Sequence, residues 1–317
     1  MEGRQPLEEG LLDAIVSEPS SVYETSVALS EPYINPFVDW AFKRIFASQS
    51  SKEVVRAFLN GILEGRREIE TIAFGKNEYP GEISEEAGSV LDFVCTDTDG
   101  AVFLVEVQRQ KHDHFKDRSV FYASRLISDQ APKGGGSGWK YKLMEIYSIS
   151  LLERFSLPDT QGEFMHNIAL CNTGTGEIFF NKLHFIYIEV MKFDKQEAEL
   201  SSALDQWMYA LKHASKMKEE PVFLNAPGIS EFFYLAKYAN LTMEERNMYR
   251  TAQQIQWDNY SVLDTAKNEG IREGLQKGLE MVLARQKDIA LKMKQDGLDI
   301  EMIVKYTKLP KEEIEAL

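Results

Sequence analysis

Apolar positions along this chain recur first at helical spacing, then at strand spacing, then at helical spacing again. After Pro36, the residues Phe37, Trp40, Ala41, Phe42, Ile45 and Phe46 predict a helix opened by proline. In SKEVVRAFLNGILEG, Val54, Val55, Phe58, Leu59 and Ile62 form one stripe of a second helix. The middle changes period. IETIAFG, SVLDFVCTD, AVFLVEVQ, KLMEIYSISLLE, FMHNIALCN and HFIYIEVMKF are β-branched or aromatic runs bounded by Gly, Asp, Asn or Pro. Between the third and fourth lies FKDRSVFYASRLISDQ, with helical spacing. From about Glu197 onward the pattern is helical throughout. This order predicts an α/β fold: a mixed β-sheet core flanked by helices, with a C-terminal helical extension.

Residues 1–31 carry seven acidic side chains and one basic one, around a Ser/Pro cluster at Ser17–Ser21, and read as a poorly packed tail with one short helix at Leu11–Val16. The expected divisions are an acidic tail at 1–32, the α/β core at 33–195, a helical extension at 196–262 and a helical tail at 263–317. Within the tail, Gly270, Gly274 and Gly278 recur every four residues among charged neighbours, which suggests a soluble helix–helix seam or a weakened helix. The chain closes with two short helices about Leu309-Pro310, superficially like a helix-turn-helix but with few basic residues.

The 317 residues are 44% hydrophobic and 27% charged, an ordinary globular composition. No run reaches the ~18 apolar residues a membrane helix needs, and MEGRQPLEEG does not read as a secretory signal. Cys95 and Cys171 both sit in apolar runs, so two core thiols in a reducing, cytoplasmic setting are expected. The net charge of −14 repels phosphate backbones and anionic membranes on average. Any contact with nucleic acid must rest on a local basic patch or on metal ions.

The chemistry concentrates in SVLDFVCTDTDGAVFLVEVQRQ. Two strand-like runs flank Thr98-Asp99-Gly100, a three-residue hairpin loop with glycine at the left-handed position. In that register Asp97 faces Ala101, and stepping outward brings Asp92 opposite Glu106. Alternation puts Val94, Thr96, Val102, Leu104 and Gln108 on their face, and Phe93, Cys95, Phe103, Val105 and Val107 on the other. Carboxylates paired across strands destabilise a sheet. Either a solvated face or a nearby Lys/Arg compensates them, or a divalent cation takes oxygen ligands from both. On the helix that follows, Arg118, Tyr122 and Arg125 share one face. The stretch 109–125 holds five Lys/Arg against two Asp, the one locally basic zone beside the pair.

Asp92 followed by Glu106-Val107-Gln108 after a hairpin resembles the PD-(D/E)XK nuclease superfamily, with glutamine in place of the usual lysine. Asp39, Phe42, Lys43 and Phe46 of the first helix, the Phe58–Leu63 segment, the hairpin, Arg118 with Tyr122, and the Lys133–Leu151 segment narrow the likeness to its recombination-promoting nuclease and transposase group, over roughly residues 35–193. Glu269, Gly270, Glu273 and Gly274 in the tail fit as well. The resemblance implies a restriction-endonuclease-like fold and Mg²⁺-dependent (or Mn²⁺-dependent) hydrolysis of DNA phosphodiester bonds in recombination, transposition or mobile-element biology. Asp92, Glu106 and the Val107 carbonyl would hold the metal, with Asp39 a further carboxylate. Gln108 would orient the attacking water, and Lys43 could supply the positive charge that glutamine lacks. Arg118 and Arg125 would grip phosphate oxygens, with Tyr122 packing or hydrogen-bonding near the scissile group.

Bland readings stand beside these. Asp39 also suits the first turn of a helix on dipole grounds, Tyr122 could be half-buried packing, and the arginines surface charges. His112 and His114 have H-x-H spacing but no third ligand nearby, which favours a solvated loop over zinc. Gly134–Gly138 reads as a flexible linker. Glu85 and Glu86, close before Asp92, and Gln108 itself favour a different outcome: a nuclease-fold protein of weak or no activity that binds partners. RNA remains open beside DNA as substrate, and the C-terminal helices could pair copies of the chain.

Overall fold

The computed structural model describes residues 31–76, 78–79, 89–90, 92–111, 113–132, 139–157 and 162–317. The Leu11–Val16 helix, Glu85 and Glu86, His112 and the Gly134–Gly138 linker lie outside the described residues. The described chain separates into a unit ending at Gln253 and a helical unit from Gln254 to Leu317.

In the first unit, helices α1 (Asp39–Phe46) and α2 (Lys52–Ile62) precede strands β1 (Ile72–Phe74), β2 (Glu78–Tyr79), β3 (Ser89–Val90), β4 (Phe93–Asp97) and β5 (Val102–Gln108). Helix α3 (Phe115–Ser128) follows, then β6 (Ile146–Leu152), β7 (Met165–Cys171) and β8 (Ile178–Glu189), and then α4 (Ala203–His213) and α5 (Ile229–Ala236). Six strands form one mixed sheet in the order β1-β4-β5-β6-β8-β7. β4 is antiparallel to β1 and β5, β5–β6–β8 run parallel, and β7 returns antiparallel to β8. The parallel β5–β6 pair needs a crossover, and α3 supplies it.

Period-2 alternation gives the sheet two apolar faces. On one, Phe93, Cys95, Phe103, Val105, Ile149 and Ile186 pack with Phe42 and Phe46 of α1, Phe58 of α2, Trp207 of α4 and Phe232 of α5. Phe46 lies between Phe58 and Trp207, with ring centroids 5.2 and 6.4 Å away. The division expected at 195/196 therefore falls between elements that share this core. At the start of α5, Gly228 has φ +78° and would place a Cβ 2.7 Å from that of Ala57, so this close approach of α5 to α2 needs glycine. On the other face, α3 lays Leu126 and Tyr122 against Val94, Leu104 and Ile146, and lays Phe115 and Ala123 against Leu152, Phe185 and Tyr187.

Two expectations need correction. The first helix is not opened by proline: it starts at Asp39. Pro36 sits in the preceding turn, which the Asn35 side chain closes by accepting the Phe37 N–H at 2.9 Å. The two cysteines are not both core thiols. Cys95 is buried, but Cys171 is exposed because β7 is the edge strand of the sheet, with Ile168 and Leu170 also exposed.

The turn between β4 and β5 is locked on both sides. Gly100 takes φ +86°, and its N–H donates to the Asp97 carbonyl at 3.1 Å. The buried Asp97 carboxylate accepts the Asp99 and Ala101 N–H groups at 3.0 and 2.9 Å through Oδ1. Its Oδ2 receives the Arg67 guanidinium at 2.6 and 2.7 Å. Arg67 also bonds Glu145 just before β6 and Asp99 in the loop, at 3.2 and 3.1 Å. One arginine thus ties the hairpin tip to the next strand.

In the second unit, α6 (Met243–Gln295), which begins within the first, is followed by α7 (Ile300–Thr307) and α8 (Lys311–Ala316). Ala290, Ile303, Leu309 and Ile314 form a small core of their own. Lys308, left-handed at φ +62°, ends α7 before the Leu309-Pro310 turn. Residues 262 and 263 lie inside the continuous α6. Side chains added at Gly270, Gly274 or Gly278 would meet open space, so these glycines form no seam among the described residues. No helix among those residues is long and apolar enough to cross a membrane.

Replacing Arg67 by methionine leaves the Asp97 carboxylate buried without its cation. The expected cost is about 3 kcal/mol, read as a lower midpoint in urea unfolding. A midpoint within error of wild type would show that the backbone bonds alone hold the turn.

Candidate active site

β4 and β5 pair as Thr96↔Val102, Cys95↔Phe103, Val94↔Leu104 and Phe93↔Val105, so the next step outward sets Asp92 opposite Glu106. The regular ladder stops there, and side chains replace backbone partners. The Asp92 N–H donates to Glu106 Oε1 at 3.1 Å, and the Val107 N–H donates to Asp92 Oδ2 at 2.7 Å. Each carboxylate is held by the backbone of the opposing strand. This reciprocal arrangement pins two acids side by side where a plain strand pair would let them diverge.

Glu106 and Gln108 are two residues apart on β5 and share the face covered by α3. The Gln108 Nε2 donates to Glu106 Oε2 at 3.2 Å, and the Arg118 guanidinium donates to Gln108 Oε1. Arg118 is one turn into α3, and its guanidinium carbon lies 6.0 Å from the centre of the Tyr122 ring. Tyr122 is half-buried against the Val94–Leu104 cluster. Arg125 lies over the Phe121 ring at 5.3 Å. From α1, Asp39 and Lys43 bond each other across one turn at 2.9 Å, and both charges act on Asp92. The structure thus brings Asp39, Lys43, Asp92, Glu106, Val107, Gln108, Arg118 and Tyr122 to one end of the sheet. His114, by contrast, is exposed and meets only Asp117 among its described partners, at 3.2 Å.

Burial dominates the electrostatics. Glu106 is pushed up to about 8, first by desolvation and then by the Asp92 charge beside it. Burial also raises Asp92, while the Val107 N–H and the Lys43 charge pull it down and Asp39 adds to the rise. Tyr122 is raised by burial and by the Glu106 charge. At neutral pH a proton on Glu106 relieves the repulsion that a bound cation would otherwise neutralise.

The donor set suits a hard divalent ion: two adjacent carboxylates, with the Val107 carbonyl on the strand edge to which its N–H points. Among the described residues, no group of three His, Cys, Asp or Glu side chains is placed to hold a metal. The acidic contribution is the Asp92–Glu106 pair, Asp39 being engaged with Lys43.

Two features escaped sequence reasoning. Arg67 locks the hairpin from 30 residues before Asp97, and no local pattern marks that pairing. At the same end of the sheet, the buried Glu189 at the end of β8 meets His166 at 2.7 Å and Lys192 at 3.1 Å.

A family model described as PD-(D/E)XK nuclease family transposase matches residues 36–266. The chain belongs to this family. Its fold is accordingly restriction-endonuclease-like, the six-stranded mixed sheet with flanking helices described above. Membership in a nuclease and transposase family implies DNA binding, and PD-(D/E)XK nucleases generally use divalent metal ions. Comparison with the curated proteins and with the solved structures gives no match.

The raised Glu106 carboxyl has a consequence for metal-free protein. Between pH about 4.5 and about 8 the folded state keeps a proton that the unfolded chain releases. Folding stability therefore falls as pH rises through that window. The melting temperature of the wild type, measured against Glu106→Gln in chelator, is expected to decline from pH about 4.5 to about 8. A difference independent of pH would show that Glu106 titrates normally.

Proposed function

We propose that this chain is a metal-dependent endonuclease that hydrolyses DNA phosphodiester bonds in recombination, transposition or mobile-element processes. The observation that carries the reading is the Asp92–Glu106 pair, a half-buried and a buried carboxylate fixed side by side at the end of the β4–β5 hairpin, Glu106 by the Asp92 N–H and Asp92 by the Val107 N–H. Asp92, Glu106 and the Val107 carbonyl would hold Mg²⁺ or Mn²⁺, with Asp39 in reserve on α1. The bound ion supplies a Lewis acid for the phosphate oxygens and a water of lowered pKa.

The remaining steps fall to the chain. Gln108 bonds Glu106 through its amide and would orient the attacking water. A carboxamide neither carries positive charge nor shuttles a proton, so the positive charge comes from Lys43 and Arg118. The nucleic acid approaches along α3, where Tyr122 and Arg125 meet it. The basic stretch 109–125 lets an acidic chain tolerate a polyanion there. A cytoplasmic site of action, and self-association through the C-terminal helices, belong to the same reading.

Nicking of a supercoiled plasmid in Mg²⁺ or Mn²⁺ is the test. Asp92→Ala and Glu106→Gln are each expected to lower the rate by roughly 100-fold or more. Equal cleavage by wild type and Asp92→Ala would overturn the assignment. No cleavage by any form, with no site-specific Mn²⁺ binding in calorimetry, would leave a nuclease-fold binding module. An RNA substrate run in parallel separates the two polymers.

A further inference from the structure

The Gln108 carboxamide has two chemically different ends, and its neighbours distinguish them. Arg118 can only donate, so the end it meets is the oxygen, Oε1. The amino end then faces Glu106 Oε2, which can only accept when ionised. Turning the amide over would set Nε2 against the guanidinium, losing the Arg118 bond whatever the protonation of Glu106. Arg118 therefore decides which way Gln108 points.

Arg118 is itself held. Phe115 and Ala123, on either side of it in α3, are buried against Leu152, Phe185 and Tyr187, and the Tyr122 ring lies beside its guanidinium. Its charge reaches both Glu106 and Asp92. The side chain is thus directed into the carboxylate pair rather than away from the sheet.

We propose that Arg118 is a positioning residue: it fixes Gln108 and, through it, Glu106, and delivers to the carboxylate pair the positive charge that Gln108 lacks. The inference rests on the nuclease reading and deepens it, and it replaces the expectation from the sequence that Arg118 grips a phosphate oxygen. The two roles differ in what they do to DNA binding. A phosphate contact contributes to affinity and to its salt dependence, whereas a positioning contact contributes to the chemical step.

The experiment combines Arg118→Met, Arg118→Lys, Gln108→Lys and the double variant Arg118→Met/Gln108→Lys. Single-turnover cleavage is measured in Mg²⁺, and DNA affinity against salt in Ca²⁺. Arg118→Met is expected to slow cleavage roughly 10- to 100-fold with affinity and salt slope unchanged, and Arg118→Lys to recover part of the loss. In the Gln108→Lys background, where a cation sits on β5 itself, Arg118→Met is expected to cost less than about 3-fold, so the two sites are coupled. Weakened DNA binding, a salt slope reduced by about one, and equal costs in both backgrounds would overturn the proposal in favour of a phosphate clamp.

A readout independent of cleavage accompanies this. With ¹⁵N-labelled glutamine, the Gln108 side-chain amide signal is expected to shift and lose exchange protection in Arg118→Met but not in Arg125→Met. An unchanged signal in Arg118→Met overturns the proposal. If no form cleaves DNA, the nuclease reading fails on its own, and the amide signal still decides whether Arg118 positions Gln108.

Discussion

The β4–β5 register is the constraint on which the candidate chemistry depends. Side chains alternate faces along a strand, so a slip of one residue would carry Glu106 and Gln108 from beneath α3 to the opposite face. That slip is blocked at the hairpin tip. There Asp97 closes the turn with its own carboxylate, Gly100 supplies the left-handed residue, and Arg67 ties both to the segment before β6. Five residues away, about 17 Å along the strand, this lock appears as the meeting of Asp92 with Glu106. The acids at the tip and the acids at the far end do opposite things. Asp97 is satisfied by an arginine and two N–H groups, so it is structural. Among the described residues, Asp92 and Glu106 receive only N–H groups of the opposing strand and the Gln108 amide, and their mutual repulsion is left to a proton or a cation.

That difference would let the proposed site for a polyanion sit in a chain of net charge −14. The long-range field opposes approach, but it is screened within about 8–10 Å at physiological salt, and local charges govern contact. Near the pair, Lys43 and Arg118 face Asp92, Glu106 and Asp39, which leaves one negative charge when all are ionised. A divalent ion there would turn the balance positive. Metal binding and DNA binding would then be linked, because the same ion that relieves Glu106 makes the end of the sheet attractive to phosphate.

The aromatic core serves the site indirectly. Phe46, Phe58, Trp207 and Phe232 hold α1, α2, α4 and α5 against one face of the sheet, and burying each such ring contributes about 2–3 kcal/mol. This anchoring fixes α1, and with it Asp39 and Lys43, beside Asp92. On the opposite face α3 is fixed by smaller clusters, which is sufficient to set Arg118 over Gln108. The helices from beyond residue 195 are thus part of the scaffold and not an appendage to it.

What could be read from residue order was what short-range geometry controls. Strand alternation and a three-residue turn ending in glycine predicted the Asp97–Ala101 closure and the opposition of Asp92 to Glu106. Helical spacing predicted the buried stripe of α2, and the ordered motifs pointed to the family. Proline at 36 misled, because φ restriction suits a turn as well as a first helical residue. Cys171 misled because an apolar run does not reveal that its strand lies at an edge. Only tertiary structure could join Arg67 to Asp97, set Trp207 and Phe232 into the core of a sheet that precedes them, and turn Arg118 toward Gln108. Those contacts are made by long side chains across elements whose mutual placement is decided by packing, and no periodicity along the chain encodes where such a side chain ends.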